Sequence, residues 1–143
     1  MVNFRFPESR DVIPPFNDVG YLPPGIHSAT LDEIAKRFGS ESEIRRVQME
    51  SIRWLVEIVA RAGVTRIVLN GSFATDQEEP NDVDCVLLVA PDSLLDEVAL
   101  LELQGGVPFL ELQIVEESEF QTITQYFGTD RDRVSKGMLE IRR

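Results

Sequence analysis

Two aspartates, Asp82 and Asp84, flank one valine at the start of the apolar run DVDCVLLV. Side chains in a strand alternate with a period of two, so both carboxylates project to one side of the strand. Two carboxylates a few ångströms apart repel each other unless a divalent cation bridges them. Their hard oxygens favour Mg²⁺ or Mn²⁺, because no cluster of His or Cys stands nearby to favour zinc. The alternative is an ordinary Asp-x-Asp pair in a solvated loop.

The dipeptide Gly71-Ser72 precedes this pair and follows another apolar run, in VLNGSF. Glycine lets the backbone approach a ligand closely, and the free N–H groups of a turn that follows it can bind phosphate. Ser72 adds a hydroxyl donor. The alternative is a plain turn between two strands, with Ser72 as a local cap.

The segments VLNGSF and NDVDCVLLV resemble the pattern of the polymerase-β-like nucleotidyltransferase superfamily, in which a hydrophobic strand, Gly-Ser or Gly-Gly, a loop and Asp-hydrophobic-Asp follow one another. Within it the chain looks most like the minimal bacterial nucleotidyltransferases, and GYLPPGIHSATLDEIAKRFG is similar to the leader of a small bacterial group there. The resemblance covers residues 20 to 115. It implies an α+β fold, a mixed β-sheet with helices packed on it.

The resemblance also implies roles for individual residues. Gly71 and Ser72 would hold the triphosphate of an NTP, and Asp82 and Asp84 would hold two Mg²⁺ ions. A third carboxylate on a later strand would share one metal and activate the acceptor hydroxyl. Glu111 in FLELQIV matches it, as a charged residue on a strand whose alternate face is apolar. The alternative for Glu111 is a solvent-facing position on a half-exposed strand.

One feature departs from the family pattern. Minimal nucleotidyltransferases often place an arginine after the serine, whereas this chain continues FATDQEEPN, which is acidic and has no cation. A triphosphate needs positive charge beside it. Lys136 and Arg133, in the C-terminal segment, are the candidates to supply that charge.

Two functions remain open at this point. The first is a metal-dependent nucleotidyltransferase that moves a nucleoside monophosphate from NTP to a hydroxyl acceptor. Because the chain is too short to include an acceptor-binding domain of the usual kind, we expect the acceptor on a partner protein, and the resemblance suggests a bacterial toxin–antitoxin or defence module. The second is a catalytically inactive nucleotidyltransferase fold that acts as an antitoxin or scaffold by binding its partner.

Composition limits the partners. The 143 residues include 14 basic and 25 acidic side chains, for a net charge of −11, which opposes nucleic acid and anionic membranes as partners. The start MVNFRFPESRD is unlike a signal peptide, and no apolar run reaches membrane-spanning length, so we predict a cytoplasmic protein. Cys85 is expected to be a buried, inert thiol, and His27 to pack or hydrogen-bond at a helix entry rather than to catalyse.

Five of the eight prolines lie in the first 24 residues. Because proline removes a backbone donor and favours extended geometry, residues 1–29 are predicted to form an arm without regular structure, and residues 30–143 the domain itself. The arm either covers the domain's own surface or docks on a partner. Its apolar residues are Phe4, Phe6, Ile13, Phe16, Tyr21 and Leu22.

Hydrophobic periodicity predicts the elements of the domain. One helix begins at a capping box of Thr30 and Glu33 and ends at Gly39, and a second begins at a capping box of Ser40 and Glu43 and ends at Gly63, with Trp54 in the core. Two later helices are predicted over residues 91–106, with apolar positions 94, 95, 98 and 101, and over residues 117–128. Strands are predicted at TRIVL, DVDCVLLV and PFLELQIV, with GMLEI as an edge strand.

Overall fold

The computed structural model describes residues 13–90 and 96–143. In those residues the protein is α+β, with a mixed sheet of five strands and four helices, as the sequence predicts at this level. In chain order the strands are β1 (Ile26–Thr30), β2 (Val64–Asn70), β3 (Val83–Val89), β4 (Leu110–Val115) and β5 (Met138–Arg142). The helices are α1 (Leu31–Phe38), α2 (Glu43–Val59), α3 (Glu97–Gln104) and α4 (Glu117–Phe127).

The strands lie in the order β1-β5-β2-β3-β4. β1 runs parallel to β5 and β3 runs parallel to β4, while β2 is antiparallel to both of its neighbours. The predicted edge position of GMLEI is therefore wrong, because β5 lies between β1 and β2. The strand that displaces it from the edge, β1, falls within the segment predicted to lack regular structure.

Each face of the sheet has its own hydrophobic core. The larger core joins α1, α2 and α3 to one face, where β3 contributes Val83, Cys85 and Leu87. The smaller core places Phe120 of α4 against Val86 and Leu88 on the other face. Because side chains alternate along β3, Asp84 shares the α4 face with Val86 and Leu88.

Residues of the predicted arm belong to the larger core. Ile13 and Leu22 are buried in it, and the Phe16 ring packs edge-on against Phe38 at 5.8 Å between centroids. Arg37 also lies over the Phe16 ring, at 4.5 Å. The described part of the arm thus covers its own domain, whereas Phe4 and Phe6 lie outside the described residues.

The starts of the first two helices differ in how well the sequence predicts them. In α1 the capping box is present: Thr30 Oγ1 accepts the Glu33 N–H at 3.2 Å, and Glu33 Oε1 accepts the Thr30 N–H at 2.8 Å. In α2 the N-cap is Ser42, not the predicted Ser40, and α2 ends at Val59, before Gly63. Ser42 Oγ accepts the Arg45 N–H and donates to the Glu78 carbonyl at 2.8 Å, so its position is fixed by a distant loop.

Three apolar predictions fail because the helices present other faces. Trp54 is 52% exposed, since it lies on the α2 face shared with Glu50 and Glu57. Val98 and Leu101 of α3 are also exposed, and Ala99 and Leu103 are buried in their place. The predicted beginning of α3, including Pro91, Leu94 and Leu95, lies outside the described residues. No helix in the described part of the chain is long and apolar enough to cross a membrane.

Arg45 connects α2 to the loop between β2 and β3. Its side chain is 2% exposed, and burial lowers the pKa of its guanidinium. The charges of Glu41 and Asp76 act on this guanidinium and raise its pKa, but its hydrogen bonds among the described residues do not go to carboxylates. It donates instead to four backbone carbonyls at 2.6 to 3.1 Å, those of Phe38, Phe73, Thr75 and Gln77. A buried cation is thereby satisfied while the backbone of the loop is held in one shape.

We expect Arg45→Met to lower the free energy of unfolding by about 3 kcal/mol or more, because it leaves several buried carbonyls without a donor. Urea unfolding measures this change. The matched control is Arg46→Met, because Arg46 is exposed and donates to the Ser40 carbonyl at 3.2 Å. The control should change stability by no more than about 0.5 kcal/mol. Equal effects of the two substitutions would contradict the structural role of Arg45.

Candidate functional site

The structure brings the three predicted carboxylates together. Asp84 is the second residue of β3, Asp82 lies in the bend just before that strand, and Glu111 is the second residue of β4. Asp84 and Glu111 are direct partners in the parallel pairing of β3 with β4, so their side chains lie side by side on one face of the sheet. This face is the one that α4 covers farther along the strands.

The carboxylates line a cavity of about 430 Å³, which we name the carboxylate cleft. It is lined by Ile44 and Gln48 of α2, by Asn81, and by Asp82, Asp84 and Glu111. Asp82 and Glu111 are exposed, whereas Asp84 is partly buried. In the described residues, no three His, Cys, Asp or Glu side chains are grouped tightly enough to hold a metal ion as they stand. The oxygens nevertheless have the chemistry of Mg²⁺ or Mn²⁺ ligands.

Asp84 is the electrostatic centre of this site. Its pKa is raised above the usual value, first by burial and then by the charges of Glu111 and Asp82, while Lys136 acts in the opposite direction. The raised pKa means that the folded protein, without added cations, disfavours the charged form of Asp84. A positive charge placed between these carboxylates would relieve that cost.

Gly71 lies directly against Asp84. Its φ of 77° is in the left-handed region, and a Cβ atom there would collide with Asp84 Oδ2. Both the backbone conformation and the close approach therefore require glycine. Asn70, paired with Asp84 across β2 and β3, donates to the Asp84 carbonyl at 3.3 Å, and its buried Oδ1 has no hydrogen-bond partner among the described residues.

Ser72 acts as a local cap, which the sequence analysis gave as the alternative to phosphate binding. Its Oγ accepts the Asn81 N–H at 2.9 Å, which ties the start of the loop to the residue before Asp82. Its carbonyl accepts the Thr75 hydroxyl at 2.7 Å. Accepting one bond leaves the Ser72 hydroxyl proton available to a ligand, so the structural role and the predicted role are compatible.

A second cavity, of about 390 Å³, meets the first at Asp84, and we name it the lysine cleft. It is lined by Gly71, Asp84, Tyr126, Asp130, Arg131 and Lys136. Of the two cations proposed from the sequence, Lys136 therefore lies beside Gly71 and acts on Asp84. The sequence analysis did not predict two further residues of this cleft. They are Arg131, from the same loop, and Tyr126 of α4, which is 74% exposed.

The loop that carries Lys136 is held by Tyr21. The Tyr21 hydroxyl donates to Asp130 Oδ2 at 2.7 Å, and Asp130 Oδ1 accepts the N–H groups of Asp132 and Val134. Lys136 Nζ lies 6.0 Å from the centre of the Tyr21 ring. An aspartate that accepts N–H groups two and four residues ahead is a turn signal, and DRDRV contains it, whereas the partnership with Tyr21 has no local signal.

The backbone is strained at the entrance to β4. Phe109 has a φ of 68°, which is rare for a bulky residue, and its carbonyl accepts the Val83 N–H at 2.9 Å. This conformation directly precedes the residues that place Glu111 opposite Asp84. Such strain costs about 1–3 kcal/mol and clusters at functional sites.

The remaining candidates from the sequence lie outside the site. His27 lies in β1, and its Nε2 hydrogen-bonds the Pro23 carbonyl at 2.7 Å, so it holds the N-terminal segment rather than a helix entry. Cys85 is completely buried, and burial raises the pKa of its thiol, so its sulfur is held as the unreactive neutral form.

Comparison with known protein families gives a match over most of the chain. The model of a family described as a family of unknown function, DUF6932, matches residues 14–142. No curated protein and no solved structure matches the chain.

We expect Asp84→Asn to be more stable than the wild type at pH 7 when no divalent cation is present. A carboxyl whose folded pKa is raised contributes stability below its unfolded pKa of about 3.9, and this contribution is lost as pH rises through the folded pKa. The advantage of the variant should therefore vanish near pH 4, grow above it and then level off.

Urea unfolding of both proteins between pH 4 and pH 8 measures this difference. Glu57→Gln is the control, because Glu57 is exposed on α2 and does not line the carboxylate cleft. If Asp84→Asn follows the wild-type pH dependence, the interaction among the three carboxylates is negligible.

Proposed function

Since the chain belongs to DUF6932, a family of unknown function, we propose its function from the site itself: a metal-dependent nucleotidyltransferase that moves a nucleoside monophosphate from NTP to a hydroxyl on a partner protein. The observation that carries the proposal is the register of β3 and β4. It sets Asp84 beside Glu111, with Asp82 at the same cleft and the Gly71 backbone against Asp84. The mixed sheet is compatible with the polymerase-β-like fold that the motif suggests.

Asp82, Asp84 and Glu111 have the ligand chemistry of Mg²⁺ or Mn²⁺, since their hard oxygens repel one another when no cation lies between them, and binding two ions would draw these side chains closer together. Bound there, the ions would offset charge on the triphosphate. Gly71 lines the lysine cleft beside Asp84, so the phosphates would meet its backbone there, and the Ser72 hydroxyl would donate to them. Lys136 faces the same space from the lysine cleft and supplies the positive charge that the loop after Ser72 lacks.

The transfer step assigns the base to Glu111. Its carboxylate accepts the proton of the acceptor hydroxyl, whose oxygen forms a bond to the α-phosphorus. The bond between that phosphorus and the oxygen bridging to the β-phosphate breaks, and pyrophosphate leaves with the electron pair. Lys136 stabilises the charge that develops on the leaving group. Because Glu111 is exposed, its carboxylate is accessible to an acceptor on another molecule.

A second candidate function is a catalytically inactive antitoxin or scaffold with the same fold. The acidic loop favours it: Asp76, Glu78 and Glu79 are exposed, and Arg45 binds the carbonyls of this loop rather than its carboxylates. The carboxylates of Glu78 and Glu79 are consequently accessible to a partner, while that of Asp76 lies against Gly20. In either case we place the protein in a bacterial toxin–antitoxin or defence module.

The two candidates are separated by a transfer assay. The protein is incubated with Mg²⁺, each α-labelled NTP in turn and the product of the gene next to its own, and label on that product is measured. Transfer of label supports the enzyme. Stable binding of the partner with no transfer from any NTP supports the inactive scaffold and overturns the enzyme.

We expect Mg²⁺ or Mn²⁺ to stabilise the wild type by about 3 kcal/mol at a hundredfold excess over the dissociation constant, since the ions bind the folded protein alone. Melting temperature across a metal titration measures the effect. Asp84→Asn should abolish the rise, while Glu57→Gln should retain it. A wild-type melting temperature that does not change in saturating Mg²⁺ or Mn²⁺ would contradict the proposed metal site.

We expect Glu111→Gln to lower the rate of transfer by about 10²-fold or more, because glutamine keeps the size of the side chain but cannot take the proton. Single-turnover label transfer measures the rate. Nucleotide binding should weaken less, since Asp82, Asp84 and Lys136 remain. Equal rates in the wild type and in Glu111→Gln would exclude Glu111 as the base.

A further inference from the structure

The two clefts that meet at Asp84 differ in charge. Apart from the shared Asp84, the charged residues of the lysine cleft are Asp130, Arg131 and Lys136, whereas those of the carboxylate cleft are Asp82 and Glu111. In the described part of the chain, no Lys or Arg lines the carboxylate cleft. Under the proposed function the triphosphate lies with the cations and Gly71, so the carboxylate cleft is the side from which the acceptor arrives.

The carboxylate cleft stays negative when NTP and its metal ions are bound. The charges of a triphosphate and of two divalent ions roughly cancel. Three carboxylates then exceed the single charge of Lys136 at the centre of the site. An acceptor approaching Glu111 therefore meets a negative potential, which favours a positive group and disfavours an anion.

Gln48 gives an independent indication that the carboxylate cleft receives a donor. It lines the cleft, its side chain is 1% exposed, and its Oε1 has no hydrogen-bond partner among the described residues. The amide is held in place, because its Nε2 donates to the carbonyls of Pro80 and Asn81 at 3.2 and 2.8 Å. A buried acceptor of this kind is costly until a donor reaches it. A hydroxyl, ammonium or guanidinium group supplies such a donor, and an anion does not.

The negative surface continues past the cleft. Glu78 and Glu79 are exposed on the loop that leads through Pro80 to Asn81, and Glu43 is exposed at the start of α2, one residue before Ile44. A small amine in the cleft would leave these carboxylates without a partner. A protein segment with several basic residues would contact both the cleft and its surroundings.

We propose that the acceptor is a hydroxyl side chain flanked by Lys or Arg in a partner protein, and that this segment binds in the carboxylate cleft between α2 and the starts of β3 and β4. The proposal rests on the proposed function, because it names the acceptor class of the same site. The hydroxyl faces Glu111, and a flanking basic or amide donor satisfies Gln48 Oε1.

The test uses three fluorescein-labelled peptides that carry one serine between arginine, glutamine or glutamate flanks. Binding is followed by fluorescence anisotropy at low salt with Mg²⁺ present. We expect the arginine peptide to bind about tenfold tighter than the glutamine peptide, and the glutamate peptide weakest. Glu111→Gln and Gln48→Leu should each weaken binding of the arginine peptide several-fold. Melting curves establish that both variants are folded.

The control is Glu57→Gln, which removes the same charge from an exposed position of α2 that does not line the cleft. Its affinity for the arginine peptide should stay within about twofold of the wild type. Equal binding of the arginine and glutamine peptides overturns the proposal. An equal loss of affinity in Glu57→Gln and Glu111→Gln also overturns it, because binding would then follow net charge rather than the cleft.

A separate titration with each of the four NTPs, without peptide, tests the proposed function alone, and Lys136→Met should weaken that binding. If the wild type binds nucleotide but shows no preference among the peptides, the proposed class of acceptor is wrong, while the proposed nucleotidyltransferase function is supported. If the wild type prefers the arginine peptide but binds no nucleotide, the proposed enzyme and the proposed acceptor are both wrong. The cleft is then a binding site for basic protein segments.

Discussion

The site depends on the hydrogen bonds that α2 makes to the loop between β2 and β3. That loop begins with Gly71 and Ser72 and ends with Asp82, so its shape sets the distance between the glycine turn and the carboxylates. Arg45 binds its carbonyls at Phe73, Thr75 and Gln77, and Gln48 binds those at Pro80 and Asn81. Five backbone carbonyls of this loop are thereby satisfied by two side chains of one helix.

The hydrogen bonds of Arg45 also explain why the acidic side chains of this loop do not form ion pairs with it. Arg45 is the buried positive charge nearest the loop, and it is occupied by carbonyl oxygens, which are neutral. Asp76, Glu78 and Glu79 are exposed. Glu78 and Glu79, on the part of the loop that leads to the carboxylate cleft, therefore add to the negative charge around it.

Sequence reasoning succeeded where the signal was local. Period-two alternation located β3 and β4, and the Thr30–Glu33 pair located the start of α1. It failed where distant contacts decide. Ser42 caps α2 because Glu78 accepts its hydroxyl, β5 is internal because β1 pairs with it, and Arg45 has the sequence context of an ordinary exposed helix residue. The register that sets Asp84 beside Glu111 is likewise non-local, so the sequence could suggest the pair but not place it.

The chain's two ends complete the site because β1 and β5 run parallel at one side of the sheet. That pairing brings Tyr21, just before β1, to the loop before β5, where its hydroxyl fixes Asp130 and its ring faces Lys136. The cation beside Gly71 thus depends on the N-terminal segment, while the carboxylates depend on α2 and on the pairing of β3 with β4. Because separate elements hold the positive and negative sides, the charge difference across Asp84 can persist in the absence of ligand. A difference held apart in this way is preorganised, so binding a polar ligand requires little rearrangement of the charges that recognise it.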